Sequence, residues 1–287
     1  MRNINQFFDE PITEIIKRRT SVRSYRGEKV LKEEEEKIID EISKYKAPFN
    51  TKVRFKVIHD DYIDKEKDGK IGTYGVIKGS KTYLLGIMGT GEKALEDLGY
   101  TFEKALLYGT SLGLASCWLG GTFKKSSFEK LAGLTDEEAL PIVSPIGYEA
   151  DKKTFVDTTM RFLAGSNKRK DWSELFFDKS FKHPLDPIEA GEYKTALEMV
   201  RLAPSASNKQ PWRMVKNGNV WNLFLHPTKG YGKGLGFNIQ RIDIGIAMCH
   251  FEMTVVEAGI KGGWRVLKDV KPEVNEGAEY VVSWIEE

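Results

Sequence analysis

DLGYTFEKALLYGTSLGLASCW, residues 97–118, and DIGIAMCHFEMTVVEAGIKGGW, residues 243–264, are two versions of one stretch. Asp97, Gly99, Gly113 and Trp118 stand at a single offset from Asp243, Gly245, Gly259 and Trp264. Each version reads as a long helix, over roughly 98–112 in the first, that ends at a glycine able to take the left-handed conformation of a helix C-terminus. Glycines match by chance; a matched tryptophan within a shared order of elements does not.

Working outward, the correspondence continues. EEEEKIIDEISKYK (33–46) has the apolar spacing of a helix with one buried face and stops before Ala47-Pro48. EYKTALEMVR likewise stops at Ala203-Pro204. KVRFKVIHD, KTYLLGIMG and ALPIVSPIGY read as strands in the first half. In the second half, WRMVKNGNVWNLFLH reads as a hairpin about an Asn-Gly turn, and AEYVVSWI as a closing strand. Val143-Ser144 matches Val282-Ser283. A single repetition at this length is not a solenoid; it predicts an internal duplication, a symmetric dimer written in one chain.

Composition sets bounds on function. The 287 residues, 40% hydrophobic and 11% aromatic, suffice for a sizeable core. Net charge is +2 from 44 basic and 42 acidic side chains, which gives no field that would gather nucleic acid or an anionic membrane. KRR and KRK are short and lack interleaved aromatics, so no nucleic-acid partner is expected. Cys117 and Cys249 lie far apart, and His59, His183, His226 and His250 form no metal-binding spacing, so neither disulfide nor metal is expected. MRNINQFFDEP lacks a signal-peptide run and no segment has membrane-spanning length; the expectation is a cytoplasmic protein with no membrane partner.

Four stretches carry chemistry. KRRTSVRSY (17–25) offers the guanidinium forks of Arg19 and Arg23 beside Ser21, a set suited to a phosphate, although taken alone it reads first as a solvated basic helix end. LAPSASNKQPWRM (202–214) restricts its backbone with Pro204 and Pro211 and offers Ser205, Ser207, Asn208 and Gln210 as donors and acceptors. It fits the polar edge of a flat heteroaromatic ring, or a turn-rich helix-to-strand connection. In SCWLGGTF, Gly120 and Gly121 let backbone approach a ligand, or make a tight turn. NKRKDWSELFF places Lys168, Arg169 and Lys170 before an amphipathic helix.

Together RRTSVRSY, LGLASCWLGG, VSPIGYEAD, NKRKDWSEL and APSASNKQPW resemble the nitroreductase family of FMN-dependent oxidoreductases, in a layout similar to its fused single-chain type. The resemblance implies an α+β, nitroreductase-like fold of two pseudo-symmetric halves that mimic the family homodimer. Those halves are expected at 1–165 and 166–287, with a crossover over about 151–191 and no need of a second subunit. It further implies that Arg19, Thr20, Ser21 and Arg23 hold the FMN phosphate and the polar edge of the flavin, with Arg169 on the phosphate and Lys168 nearby. Leu119, Gly120 and Gly121 would bring an amide near flavin N5, and Pro204, Ser205, Ala206, Asn208 and Gln210 would line the ring from the opposite half.

The first half has APFNTKVRF where the second has APSASNKQPWRM, and the second lacks an RRTSVR-like segment and reads WRVL where the first reads WLGG. Each half keeps complementary parts, which implies one flavin site per chain between the halves. The implied reaction is a ping-pong transfer of hydride from NAD(P)H through flavin N5 to a small electron-poor acceptor such as a nitroaromatic or a quinone. No protein acid or base is required. Segments 62–74 and 230–237 are candidate lids. The rival readings are a non-catalytic flavin sensor or carrier, and a decayed fold acting as an interaction protein.

Overall fold

The structure is a computed structural model that describes residues 8–62, 72–151, 168–270 and 277–287. Most of the candidate lid at 62–74 and much of the expected crossover lie outside the described residues. The chain divides into two compact units, one of residues 18–165 and one of residues 1–17 with 166–287. The expected first half, 1–165, thus differs from the compact unit by its first 17 residues. Helix α1 (Ile12–Arg18) shows the physical reason: its first amide, that of Ile12, donates to Glu257 Oε1 at 2.6 Å. A carboxylate at a helix N-terminus takes a donor that has no partner within the helix.

In the unit of residues 18–165, α2 (Lys32–Ser43) buries Ile38 and Ile42 and pairs Glu33 with Lys37 and Lys32 with Glu36 on its outer face. It ends three residues short of the expected 46, ahead of the Ala47-Pro48 pair whose ring disfavours helix in the residue before it. β1 (Val53–His59) and β2 (Thr82–Gly89) follow, then the long α3 (Ala94–Ser111), the short β3 (Ala115–Ser116), α4 (Lys125–Ala132) and β4 (Glu138–Gly147). The strands form one antiparallel sheet in the order β1-β2-β4-β3.

In the other unit, α5 (Trp172–Leu175) is one turn and β5 (Phe176–Asp178) follows it directly. NKRKDWSELFF therefore makes less helix than its pattern predicts. Phe176 and Phe177 pair in parallel with Met214 and Val215, and the fully buried Phe176 stays in place as a strand residue. Then come α6 (Lys194–Leu202), β6 (Trp212–Asn217), β7 (Val220–Leu225), the long α7 (Ile239–Glu257), β8 (Gly262–Arg265) and β9 (Glu279–Glu286). Gly218, at φ +62°, opens the two-residue hairpin loop between β6 and β7. The sheet order is β5-β6-β7-β9-β8.

With the added β5 set aside, the two sheets have one strand order, and each long helix lies between the second and third strands in sequence. Both long helices also end alike. Gly113 and Gly259 each have φ +82°. Leu114 donates to Gly109 O and Gly113 to Thr110 O, as Ile260 donates to Val255 O and Gly259 to Val256 O. Ser144 and Ser283 occupy matching places, paired with Leu84 and Asn222.

The cores differ in detail. In the second sheet's unit, Tyr193, Trp221, Phe251, Trp264 and Trp284 form an aromatic cluster with neighbouring centroids 5.1–6.2 Å apart. In the other, α3 presses on β2 at Gly86, where a Cβ would come within 2.8 Å of Phe102 Cδ2 and 3.0 Å of Leu98 Cδ1. Gly86→Ala is expected to lower stability by about 1–3 kcal/mol through overpacking. Urea unfolding of the variant at neutral pH measures it.

Candidate functional site

The basic segment after α1 is built into its unit by backbone pairing. Val22 N donates to Ser116 O at 2.9 Å, Lys78 N to Arg23 O, Tyr25 N to Lys78 O, and Arg26 N to Tyr148 O. Gly79 makes the approach possible, because a Cβ there would stand 2.2 Å from Tyr25 O. This fixed strand leaves Thr20 exposed and Ser21 and Arg23 half-buried. Arg18 Nη2 donates to Thr110 O near the end of α3.

Arg19 turns inward and is only 8% exposed. Its Nε lies 3.5 Å from Oε1 of Glu103, a fully buried carboxylate midway along α3, and Trp118 Nε1 donates to Glu103 Oε2 at 2.7 Å. Arg19 Nε and Nη1 are buried and make no hydrogen bond. Glu103 balances its charge, and those two N–H groups are left without a hydrogen bond. Leu119 exchanges both backbone hydrogen bonds with Val143 of β4, which sets Gly120 and Gly121 immediately beyond a pinned residue. Arg19, Ser21 and the Leu119–Gly121 turn are thus gathered around Ser116, Trp118 and Glu103.

The other unit holds the second set. Beyond α6 the chain enters a loop in which Ser207, Asn208 and Gln210 have φ of +47°, +53° and +48°. Left-handed backbone costs a residue with a Cβ about 1–3 kcal/mol and persists only where surroundings enforce it. Here Arg169 enforces it. Its Nη2 donates to Leu202 O at 2.8 Å, and its Nη1 to Ala203 O at 3.1 Å and to Asn208 Oδ1 at 2.8 Å. The guanidinium takes carbonyls that the end of α6 leaves over.

Asn208 Nδ2 returns a bond to Lys168 O, and Gln210 Oε1 accepts from Lys170 N at 2.9 Å. Ser205 Oγ accepts from Gln210 N at 2.9 Å. Tyr231, from the candidate lid at 230–237, donates to Ser207 Oγ at 2.8 Å. NKRK and APSASNKQPW, separate motifs in sequence, are one interlocked structure. Arg169, read from sequence as a phosphate contact, has its guanidinium engaged in holding this loop; Lys168 is exposed.

Asp243 is a site residue that sequence reasoning noticed as a repeat position and gave no role. Its Oδ1 accepts from Ala206 N at 2.9 Å, and its Oδ2 is buried without a hydrogen-bond partner. Burial pushes its carboxyl up to about 8, with the Ala206 amide pulling the other way. Asp97, its counterpart on α3, accepts from Phe49 N, Thr51 N and Thr51 Oγ1 at 2.8–2.9 Å. Burial raises its carboxyl too, against those three donors.

Glu103 is the other missed residue; its signal is an acid set midway along a long, largely apolar helix that also buries Glu96 and Asp97 near its start. Around the loop the field is positive. Burial and then Arg213 lower Lys170, burial lowers Arg213, and burial followed by Arg213 and Lys170 lowers His226. Among the described residues no group of His, Cys, Asp or Glu could hold a metal, and no helix is long and apolar enough to cross a membrane.

Arg169→Ala is expected to cost about 1–3 kcal/mol, because two helix-end carbonyls and Asn208 lose a charged donor. Arg169→Lys would not restore it, since an ammonium cannot reproduce the fork. Urea midpoints and protease cleavage within 205–210 check both. For Asp243, the folded state binds its proton more tightly than the ordinary aspartate value of 3.8. The stability tied to that proton is therefore complete below about 3.8 and is lost as pH rises to about 8. Asp243→Asn is expected to gain on the wild type across that interval and to hold a constant lead above it, as read by thermal melts at stepped pH.

The chain matches the family described as "Putative TM nitroreductase" over residues 11–255. Among solved structures it is similar to a "putative nitroreductase" from Thermotoga maritima, at 18% identity and a TM-score of 0.60, with 96% of this chain and 94% of that one covered. A nitroreductase family protein from Clostridium novyi aligns at 19% identity and a TM-score of 0.41, covering 52% of this chain and 92% of its own. A nitroreductase with bound FMN from Bacteroides fragilis aligns at 22% and 0.40, covering 51% and 92%. No curated protein matches. The Thermotoga likeness shows the fold, and the family match, over most of the length, shows that the chain belongs to this nitroreductase family.

Proposed function

We propose that the protein is an FMN-dependent oxidoreductase that draws reducing equivalents from NAD(P)H and delivers them to an electron-poor small molecule such as a nitroaromatic or a quinone. The observation that carries this reading is Arg19: a guanidinium only 8% exposed whose Nε and Nη1 make no hydrogen bond. In one segment with Thr20, Ser21 and Arg23, it fits an anionic, phosphate-bearing cofactor, and family membership supplies the flavin.

FMN, when bound, would supply the hydride-transfer chemistry. The chain's own residues do the rest. Arg19 and Ser21 bind the phosphate and polar edge, with Arg23 and Lys168 adding positive charge. The amide of Gly120 or Gly121, next to the Leu119–Val143 pairing, would serve the flavin's reacting edge. Pro204, Ser205 and Ala206 present a wall for the ring. Arg169, Asn208 and Gln210 act one step back, holding that wall in its left-handed shape. Donor and acceptor occupy the open face in turn, so no side chain has to act as general acid or base.

The matched strand order, helix ends and aspartates support descent of the two units from one duplicated half. With an Arg19-type segment in one copy and the 204–210 loop in the other, one FMN per chain is the expected ratio.

The test is an absorbance titration with FMN, followed by anaerobic NADH and then NADPH. Saturation at one FMN per chain and bleaching of the oxidised band by a nicotinamide are expected. Two flavins per chain would refute the shared arrangement, and binding without bleaching by either nicotinamide would refute the enzyme reading. Arg19→Ala should weaken FMN about ten- to a hundredfold, the worth of one or two charge-assisted hydrogen bonds. Unchanged affinity would remove Arg19 from the site.

A further inference from the structure

The two anchoring aspartates are not equally served. Asp97 receives three donors from the 49–51 segment. Asp243, at the matching position, receives the Ala206 amide alone, and its second oxygen is enclosed with no partner. Thr51 contributes both amide and hydroxyl to Asp97, whereas Ser207, which stands at the same distance beyond Ala-Pro, turns its hydroxyl to Tyr231. The second loop has gained its left-handed shape and lost two of the donors that would stabilise a carboxylate beneath it.

We propose that Asp243 is a positioning residue that carries a proton on its enclosed oxygen, fixes the 205–210 loop through Ala206, and releases that loop when it ionises. The inference rests on the flavin reading only in so far as the loop is a wall of the flavin site.

The physical argument is one of balance. A neutral carboxyl can accept one amide and leave its other oxygen enclosed at moderate cost; an enclosed carboxylate oxygen without a donor costs far more. When the proton leaves, the charge must find water or a new donor. The element within reach is the loop itself, whose three left-handed residues already oppose its present shape.

No neighbouring charge does this work. The charged groups on the elements packed against α7 include Glu14 and Lys17 of α1, Lys194, Glu198 and Arg201 of α6, Lys209 of the loop, Arg213 and Lys216 of β6, and Glu279 of β9. None of them contributes to the shift of Asp243, and neither do Arg241 and His250 on its own helix; burial raises it and the Ala206 amide opposes. The carboxyl's behaviour is therefore tied to the loop's closure.

The experiment pairs amide hydrogen exchange over 203–210 in the flavin-free protein with FMN titration, each from about pH 6 to about pH 9, on wild type, Asp243→Asn and Asp243→Ala. In the wild type, exchange of the loop should accelerate beyond the intrinsic base-catalysed rise with a midpoint near 8, and FMN affinity should fall up to about tenfold per pH unit above it. Asp243→Asn, neutral at every pH and still an acceptor for Ala206, should show neither change. Asp243→Ala should exchange fast and bind FMN weakly throughout.

Identical pH profiles for wild type and Asp243→Asn would overturn the inference while leaving FMN binding intact. An exchange difference in a chain that binds no FMN would sustain Asp243 as the loop's latch and remove the flavin reading instead.

Discussion

One interaction recurs at the same place in both units: an aspartate one turn into a long apolar helix accepts the amides of the loop that follows an Ala-Pro. It is a costly arrangement, since the carboxyl is buried in each case and burial drives its proton affinity upward. Its return is geometric. A loop after a helix has donors with no partner, and a single buried acceptor on a neighbouring rigid helix gives them one fixed point. The positions of Phe49 and Thr51 in one unit, and of Ala206 in the other, follow from where the helices put those carboxyls.

From that fixed point the second loop is determined further. The Arg169 fork joins the end of α6 to Asn208, Gln210 ties back to Ser205 and to Lys170, and Tyr231 reaches Ser207 from a separate segment. Against this stand three strained residues where the first loop has one, Asn50. Conformations of this kind are lost unless several bonds hold them together, and apart from the Gln210–Ser205 bond those here join parts of the chain far apart in sequence. Strain and polar contacts from separate segments are concentrated in this ten-residue stretch.

Much of this was legible in the sequence, for definable reasons. The repeat was visible because it rests on residues with strict local demands: glycines that end helices at φ +82°, and prolines that follow α2 and α6. The long helices and main strands were visible because their apolar spacing is periodic. What was hidden is what depends on contacts distant in sequence. SELFF alternates poorly enough to pass for helix, and only its parallel partner β6 makes Phe176–Asp178 a strand. α1 carries no mark of its affiliation until Glu257 meets its first amide. Arg169 reads as a ligand contact because a guanidinium suits phosphate as well as helix-end carbonyls; its bonds to Leu202 O and Ala203 O depend on the fold and could not be read locally.

The asymmetry between the copies follows from the same constraint. A loop with no ligand to meet can satisfy its anchor fully, and the 49–51 segment gives Asp97 three donors in a short, undemanding path. A loop that must direct amides and side chains elsewhere cannot spend them all on its anchor, so Asp243 is left with one. Divergence of two loops on a shared aspartate therefore has a direction: the copy with the poorer-served carboxyl is the one whose polar groups are reserved for something else. In the 205–210 loop those polar groups meet Arg169, Lys170 and Tyr231, and one oxygen of Asp243 is left enclosed.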